Sequence, residues 1–138
     1  MKKLLLIISL VISSFAFDWT GKINWAMSYD SAKRLAMQTH KPIFVDVALT
    51  NCPPCHYLAT KVYTVPEIAD YINKNFISVL IIADKEKVPA EVGDYFSGST
   101  PTLMFIAPSG KLIYTHVGAL RPNQFLEMVK KVKQAYNK

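Results

Sequence analysis

The chain has 138 residues and a formal net charge of +6 at pH 7. That length allows one domain with a real core, and 51% hydrophobic against 19% charged residues excludes a disordered chain. The basic residues are scattered. The one cluster, Lys130, Lys131 and Lys133, reads as the wet face of a helix and not as a nucleic-acid surface.

The N-terminus reads Met1-Lys2-Lys3, then an apolar run from Leu4 to Ile12, then Ser14-Phe15-Ala16. A basic start, a short apolar stretch and a small-x-small ending describe a secretory signal peptide over 1–16, cleaved before Phe17. The run is too short for a membrane span, which needs about 20 residues. An uncleaved anchor is the alternative. No cysteine follows the run, so a lipid anchor is not indicated. Either way the domain, 17–138, is expected in the periplasm or otherwise outside the cytoplasm. Loss of Lys2 and Lys3 would lower the charge from +6 to +4.

Phe17 to Trp25 is a polar-aromatic lead-in with room for a short strand. Tyr29, Ala32, Leu35 and Ala36 then fall at helical spacing, with Ser28 as N-cap and Lys41-Pro42 as the stop. The apolar run Ile43 to Leu49, broken only by Asp46, predicts a buried central strand. Thr50-Asn51 is a turn. Pro53 and Pro54 suit the first turn of a helix, where their missing N–H groups would have no partner; Leu58 and Val62 continue it. Pro66 starts another piece with Ile68 and Ile72 inward. Phe76 to Ala83 predicts a second buried strand, 84–89 a charged loop, and 89–96 a short helix.

Thr102 to Ala107 and Leu112 to His116 flank the turn Pro108-Ser109-Gly110-Lys111 and predict a hairpin. A final helix from Pro122 places Phe125, Leu126, Val129, Val132 and Tyr136 on one face. This order calls for an α/β fold: a central mixed sheet, helices on both faces, and a C-terminal hairpin and helix.

The two cysteines lie three apart, at Cys52 and Cys55. A bridge between them closes a tiny loop and restricts the unfolded chain little, so the pair suits chemistry better than stapling. Cys52 stands just before a helix, where backbone N–H groups and the helix dipole lower a thiol pKa. It is expected to be exposed, with Cys55 one turn further in and more buried. That makes Cys52 the attacking nucleophile and Cys55 the resolving thiol. The intervening prolines remove two amide donors, and no histidine lies between the cysteines. Both features predict a modest pKa depression and a reductase-like potential.

From about Trp25 to Ala135 the chain resembles the thioredoxin superfamily. The resemblance rests on Ile43-Phe44-Val45-Asp46 before the motif, Cys52-Pro53-Pro54-Cys55 itself, Thr100-Pro101-Thr102-Leu103, and Gly118 before the last helix. Trp25, Ala32, Ala36, Lys41-Pro42 and the residues after Cys55 look most like one branch. It contains the periplasmic C-terminal domain of the transmembrane thiol:disulfide interchange reductase. The resemblance implies a thioredoxin-like fold, a protein-disulfide reductase needing no metal or cofactor beyond the Cys52–Cys55 pair, and a monomer. Its partners would be exported proteins with disulfides, apocytochrome c cysteines among them, and a separate membrane electron donor.

Asp46 shares a strand face with Phe44 and Ala48, in a dry environment where a carboxylate is costly. The resemblance implies proton transfer with Cys55; a structural acid bonded to a nearby polar group is the alternative. Pro101 would be cis, and the Thr100 backbone would pair with a substrate strand; a trans loop proline is the alternative. Two departures stand out. Asn51 precedes the first cysteine where tryptophan is usual, and the strand Val79-Leu80-Ile81-Ile82 has no lysine to face the buried acid.

Cys52-Pro53-Pro54-Cys55-His56 also matches the c-type haem attachment pattern, with His56 as axial ligand. The strand before it and the hairpin after it do not fit a small helical cytochrome, and His56 is expected to be a solvated first-turn residue. Cys52, Cys55 and His56, with His116 or His40, offer a copper(I) or zinc site, but a second paired motif is missing. A disulfide oxidase or isomerase on the same fold is the alternative; the intact cysteines and the buried acid argue against a non-catalytic binding domain.

Overall fold

The computed structural model describes residues 16–138. The expected leader over 1–16 therefore lies outside the described residues, Ala16 excepted. The elements in chain order are α1 (Tyr29–Thr39), β1 (Ile43–Ala48), α2 (Pro53–Tyr57) and α3 (Pro66–Asn75). They are followed by β2 (Ile77–Ile82), α4 (Ala90–Gly93), β3 (Thr102–Ile106), β4 (Leu112–Val117) and α5 (Pro122–Tyr136).

The sheet order is β2-β1-β3-β4. β1 pairs parallel with β2, as a helical crossover through α2 and α3 requires, and antiparallel with β3; β3 and β4 form the predicted hairpin. β1 is buried along its whole length. Its alternation divides the core. Phe44 points with Tyr63, Ile72, Phe105 and Phe125 into the layer under α3 and α5. Ile43, Val45 and Val47 point the other way, onto Ala32 and Ala36 of α1 and Val92 of α4. Helices thus cover both faces, as the sequence pattern predicts. Among the described residues no helix is long and apolar enough to cross a membrane.

Ser28 caps α1 as expected, accepting from the Ser31 N–H at 3.1 Å while Ser31 Oγ accepts from the Ser28 N–H. Leu35 departs from the predicted apolar face and is 43% exposed, because Tyr29, Ala32 and Ala36 suffice to seat the helix. The lead-in forms no strand, only a single parallel bridge between Trp25 and Ser78. The helix expected over 89–96 shrinks to the one turn of α4. Beyond α2 the helix widens into a π-helical turn, Leu58–Val62, closed by the Tyr63 N–H donating to the Leu58 carbonyl at 2.8 Å. Tyr63, the residue that closes the turn, is buried.

Candidate active site

β1 ends at Ala48, and the chain turns at Thr50-Asn51 to bring Cys52 to the start of α2. Both sides of the turn are clamped. Asp84, just beyond β2, accepts from the Thr50 N–H at 2.9 Å and from its hydroxyl at 3.1 Å, which holds the Asp84 carboxyl below its ordinary range. The Thr50 carbonyl accepts from His56 Nε2 at 2.8 Å, which places the ring proton on that nitrogen.

Cys52 is the N-cap of α2, in extended conformation, with Pro53 and Pro54 in the first turn. Its sulfur accepts from the Cys55 N–H at 3.3 Å, the nearest amide left once the prolines have removed theirs. Cys52 and Cys55 are joined as a disulfide. The Thr100 hydroxyl donates to Cys52 Sγ at 3.4 Å, and the Thr100–Pro101 peptide bond is cis. Pro101 is buried, and its carbonyl accepts from the Gly118 N–H at 2.8 Å, which ties this loop to the end of β4.

The expected exposure of Cys52 is not found. It is 5% exposed, against 1% for Cys55, so the order of burial is as predicted but the nucleophile is covered. The cover consists of the Thr100 hydroxyl and a small apolar cluster in which Ala48, Trp19 and Leu49 pack with the cysteines. His56 also departs from expectation. It is half-buried, its ring stacked on Phe17 at 4.1 Å between centroids and edge-on to Trp19 at 5.0 Å. Asn51 therefore leaves no gap: an aromatic side chain reaches the site from the lead-in, too far along the sequence for motif spacing to reveal it.

Asp46 lies on the face of β1 shared by Phe44 and Ala48, in register between Leu80 and Leu103, and is 2% exposed. It bonds to neither cysteine. Its Oδ2 accepts from the Tyr63 hydroxyl at 2.6 Å, and its Oδ1 has no partner among the described residues. Burial pushes the carboxyl up to about 7, and the tyrosine bond opposes that rise. Burial, then the adjacent acid, pushes the Tyr63 phenol well above its ordinary value, so it stays a donor. The sequence shows Asp46 but not Tyr63. The signal was the missing lysine: a buried carboxyl with no cation in reach calls for a neutral donor.

The structure thus gathers Cys52, Cys55, Pro53, Pro54, Thr100 and Pro101 at one end of the sheet, with Asp46 in the layer next to them. His40 ends α1 with a positive φ of 56°, and His116 lies on β4 opposite Leu103. Among the described residues no group of three or more His, Cys, Asp or Glu side chains is assembled as a metal would need.

Thioredoxin Y2, chloroplastic, of Arabidopsis thaliana is 31% identical over 102 residues, which is 74% of this chain and 58% of that protein. The chain spans a smaller share, 8%, of another curated relative. A solved disulphide-isomerase candidate from Bacteroides thetaiotaomicron is 32% identical, with a TM-score of 0.69 over 80% of this chain and 92% of that one. The C-terminal domain of DsbD from Neisseria meningitidis, in the oxidised form, is 19% identical. It shares the fold with a TM-score of 0.61 over 74% of this chain and 90% of that one. The model of the thioredoxin-like domain family matches residues 29–133, from the start of α1 into the last turns of α5, and the chain belongs to that family.

Proposed function

We propose that this chain is an extracytoplasmic thiol–disulfide oxidoreductase that reduces disulfides in exported proteins. The observation that carries the reading is Cys52 at the N-cap of α2. It is bridged to Cys55 and touched by the Thr100 hydroxyl, with a buried acid on the adjoining strand. In the reduced state Cys52 attacks a substrate disulfide, one substrate sulfur leaves as thiolate, and a mixed disulfide forms. Cys55 loses its proton to Asp46 and attacks Cys52 Sγ. The Cys52–substrate bond breaks, the second substrate thiolate leaves, and the Cys52–Cys55 bridge returns. Two electrons pass to the substrate.

Thr100 and Pro101 stand beside the sulfur where a substrate chain would dock. A membrane protein regenerates the dithiol, and the N-terminal segment 1–16 supplies export. Apocytochrome c cysteines are one substrate class that this chemistry fits. Two measurements test the reading. The potential against glutathione is expected near that of thioredoxin, about −270 mV; a value near −120 mV, as in a strong oxidant, overturns the direction. A Cys55→Ser variant is expected to hold substrates as mixed disulfides on Cys52. Failure to trap any from a periplasmic extract, with Cys52 reactive, overturns the exchange chemistry.

A further inference from the structure

The Tyr63–Asp46 pair has a geometry that the exchange reaction can use. The Tyr63 hydroxyl occupies Oδ2 of Asp46 at 2.6 Å, both side chains are buried, and Oδ1 is left without a partner. The phenol is not free to turn away. Its ring meets Trp25 at 5.4 Å and Phe125 at 5.8 Å between centroids, and its backbone carbonyl accepts from the Lys22 N–H at 2.8 Å. The strands on either side of Asp46 present Leu80 and Leu103 in register, and the π-helical turn before Tyr63 buries Leu58, Ala59 and Val62. Among the described residues Tyr63 is the one titratable group that bonds to the carboxyl. Ala48, two residues on and on the same face, packs against both cysteines.

We propose that Tyr63 is a positioning residue. It locks Oδ2 and assigns Oδ1 as the atom that accepts the Cys55 proton, while stabilising the ionised carboxyl in a layer with no cation. This rests on the reading of Asp46 given above. The proton leaves Cys55 Sγ for Oδ1 as the Cys55–Cys52 bond forms and the substrate thiolate departs; Tyr63 keeps its own proton throughout. A lone buried carboxyl would ionise at a higher pH, and the resolving step would stall near neutrality.

The test uses Y63F, which keeps the ring and removes the hydroxyl, together with D46N and the double variant. The Asp46 carboxyl is titrated by carbon NMR in the oxidised protein, where the cysteines do not titrate. The midpoint is expected to rise by roughly one pH unit in Y63F. Single-turnover reduction of glutathione disulfide by reduced Y63F should be roughly five-fold slower near pH 7 and equal to wild type near pH 9. In the D46N background Y63F should have no further effect.

An unmoved midpoint in Y63F overturns the proposal, as does a rate loss that persists in D46N. A D46N variant as fast as wild type overturns the reading of Asp46 itself, and is recognised because it does not involve Tyr63. Should Y63F not fold, the unmodified protein decides. A slowly exchanging Tyr63 hydroxyl proton should shift with the Asp46 midpoint, and a hydroxyl signal indifferent to that titration overturns the proposal.

Discussion

Asp46 is costly where it stands, and the cost has a pH window. The ordinary carboxyl value is 3.8, and the folded value is about 7. Below both values folded and unfolded chains alike hold the proton, and there is no penalty. Between them the unfolded chain releases a proton that the folded chain keeps, so stability falls as pH rises. Above about 7 both forms are ionised and the full penalty remains, on the order of 4 kcal/mol. D46N cannot ionise. It is expected to be more stable than wild type near pH 8 in urea denaturation, with the gap closing towards pH 4. A gap of constant size would mean that the acid is not paying this penalty. The presence of Asp46 in a central strand was plain in the sequence as the one break in an apolar run. Its partner was not, because Tyr63 lies 17 residues away and reads as one more core aromatic.

The elements most legible in the sequence were those with a simple period. β1 and β3 stood out as short apolar runs between turn residues, and α1 and α5 as spaced apolar faces. What was not legible depends on tertiary contact. The π-helical turn after α2 adds a residue that no helical period anticipates. The lead-in before α1 has no period at all, yet it is braced by Trp25 Nε1 donating to the Thr20 carbonyl at 3.0 Å and by Lys22 against Tyr63. Gly21 is the hinge of that brace. Its φ is +54°, and a Cβ there would lie 2.7 Å from Tyr63 Cβ and 2.8 Å from its carbonyl oxygen. Gly21→Ala is therefore expected to destabilise the fold by roughly 1–3 kcal/mol through backbone strain and the clash with Tyr63. Thermal unfolding measures this as a loss of several degrees. Because the same lead-in carries Phe17 and Trp19 to His56, the variant should also change Trp19 fluorescence; an unchanged melting temperature would mean that the segment is not held here.

At the scale of the whole molecule, the two core layers lie on opposite faces of one sheet and share β1. Nothing in that arrangement depends on the bridge, whose partners are separated by only three positions. In the chain-entropy account such a small loop stabilises by about 2 kcal/mol, so the reduced protein should remain folded. The opposing effect is stabilisation of the Cys52 thiolate in the native state. Here the Cys55 N–H and the Thr100 hydroxyl contribute donors, and the two prolines contribute none. With so few donors, the loop effect should prevail and leave the oxidised form the more stable one. Linkage makes this a statement about electron flow. A protein whose disulfide stabilises its fold holds that disulfide tightly and gives electrons away, whereas a strong oxidant is one whose reduced form is the more stable. Urea denaturation of both redox forms at one pH measures the sign. An oxidised form more stable by up to about 2 kcal/mol fits the reductase. A reduced form that outlasts the oxidised one would reverse the proposed direction while leaving the fold and the cysteine roles intact.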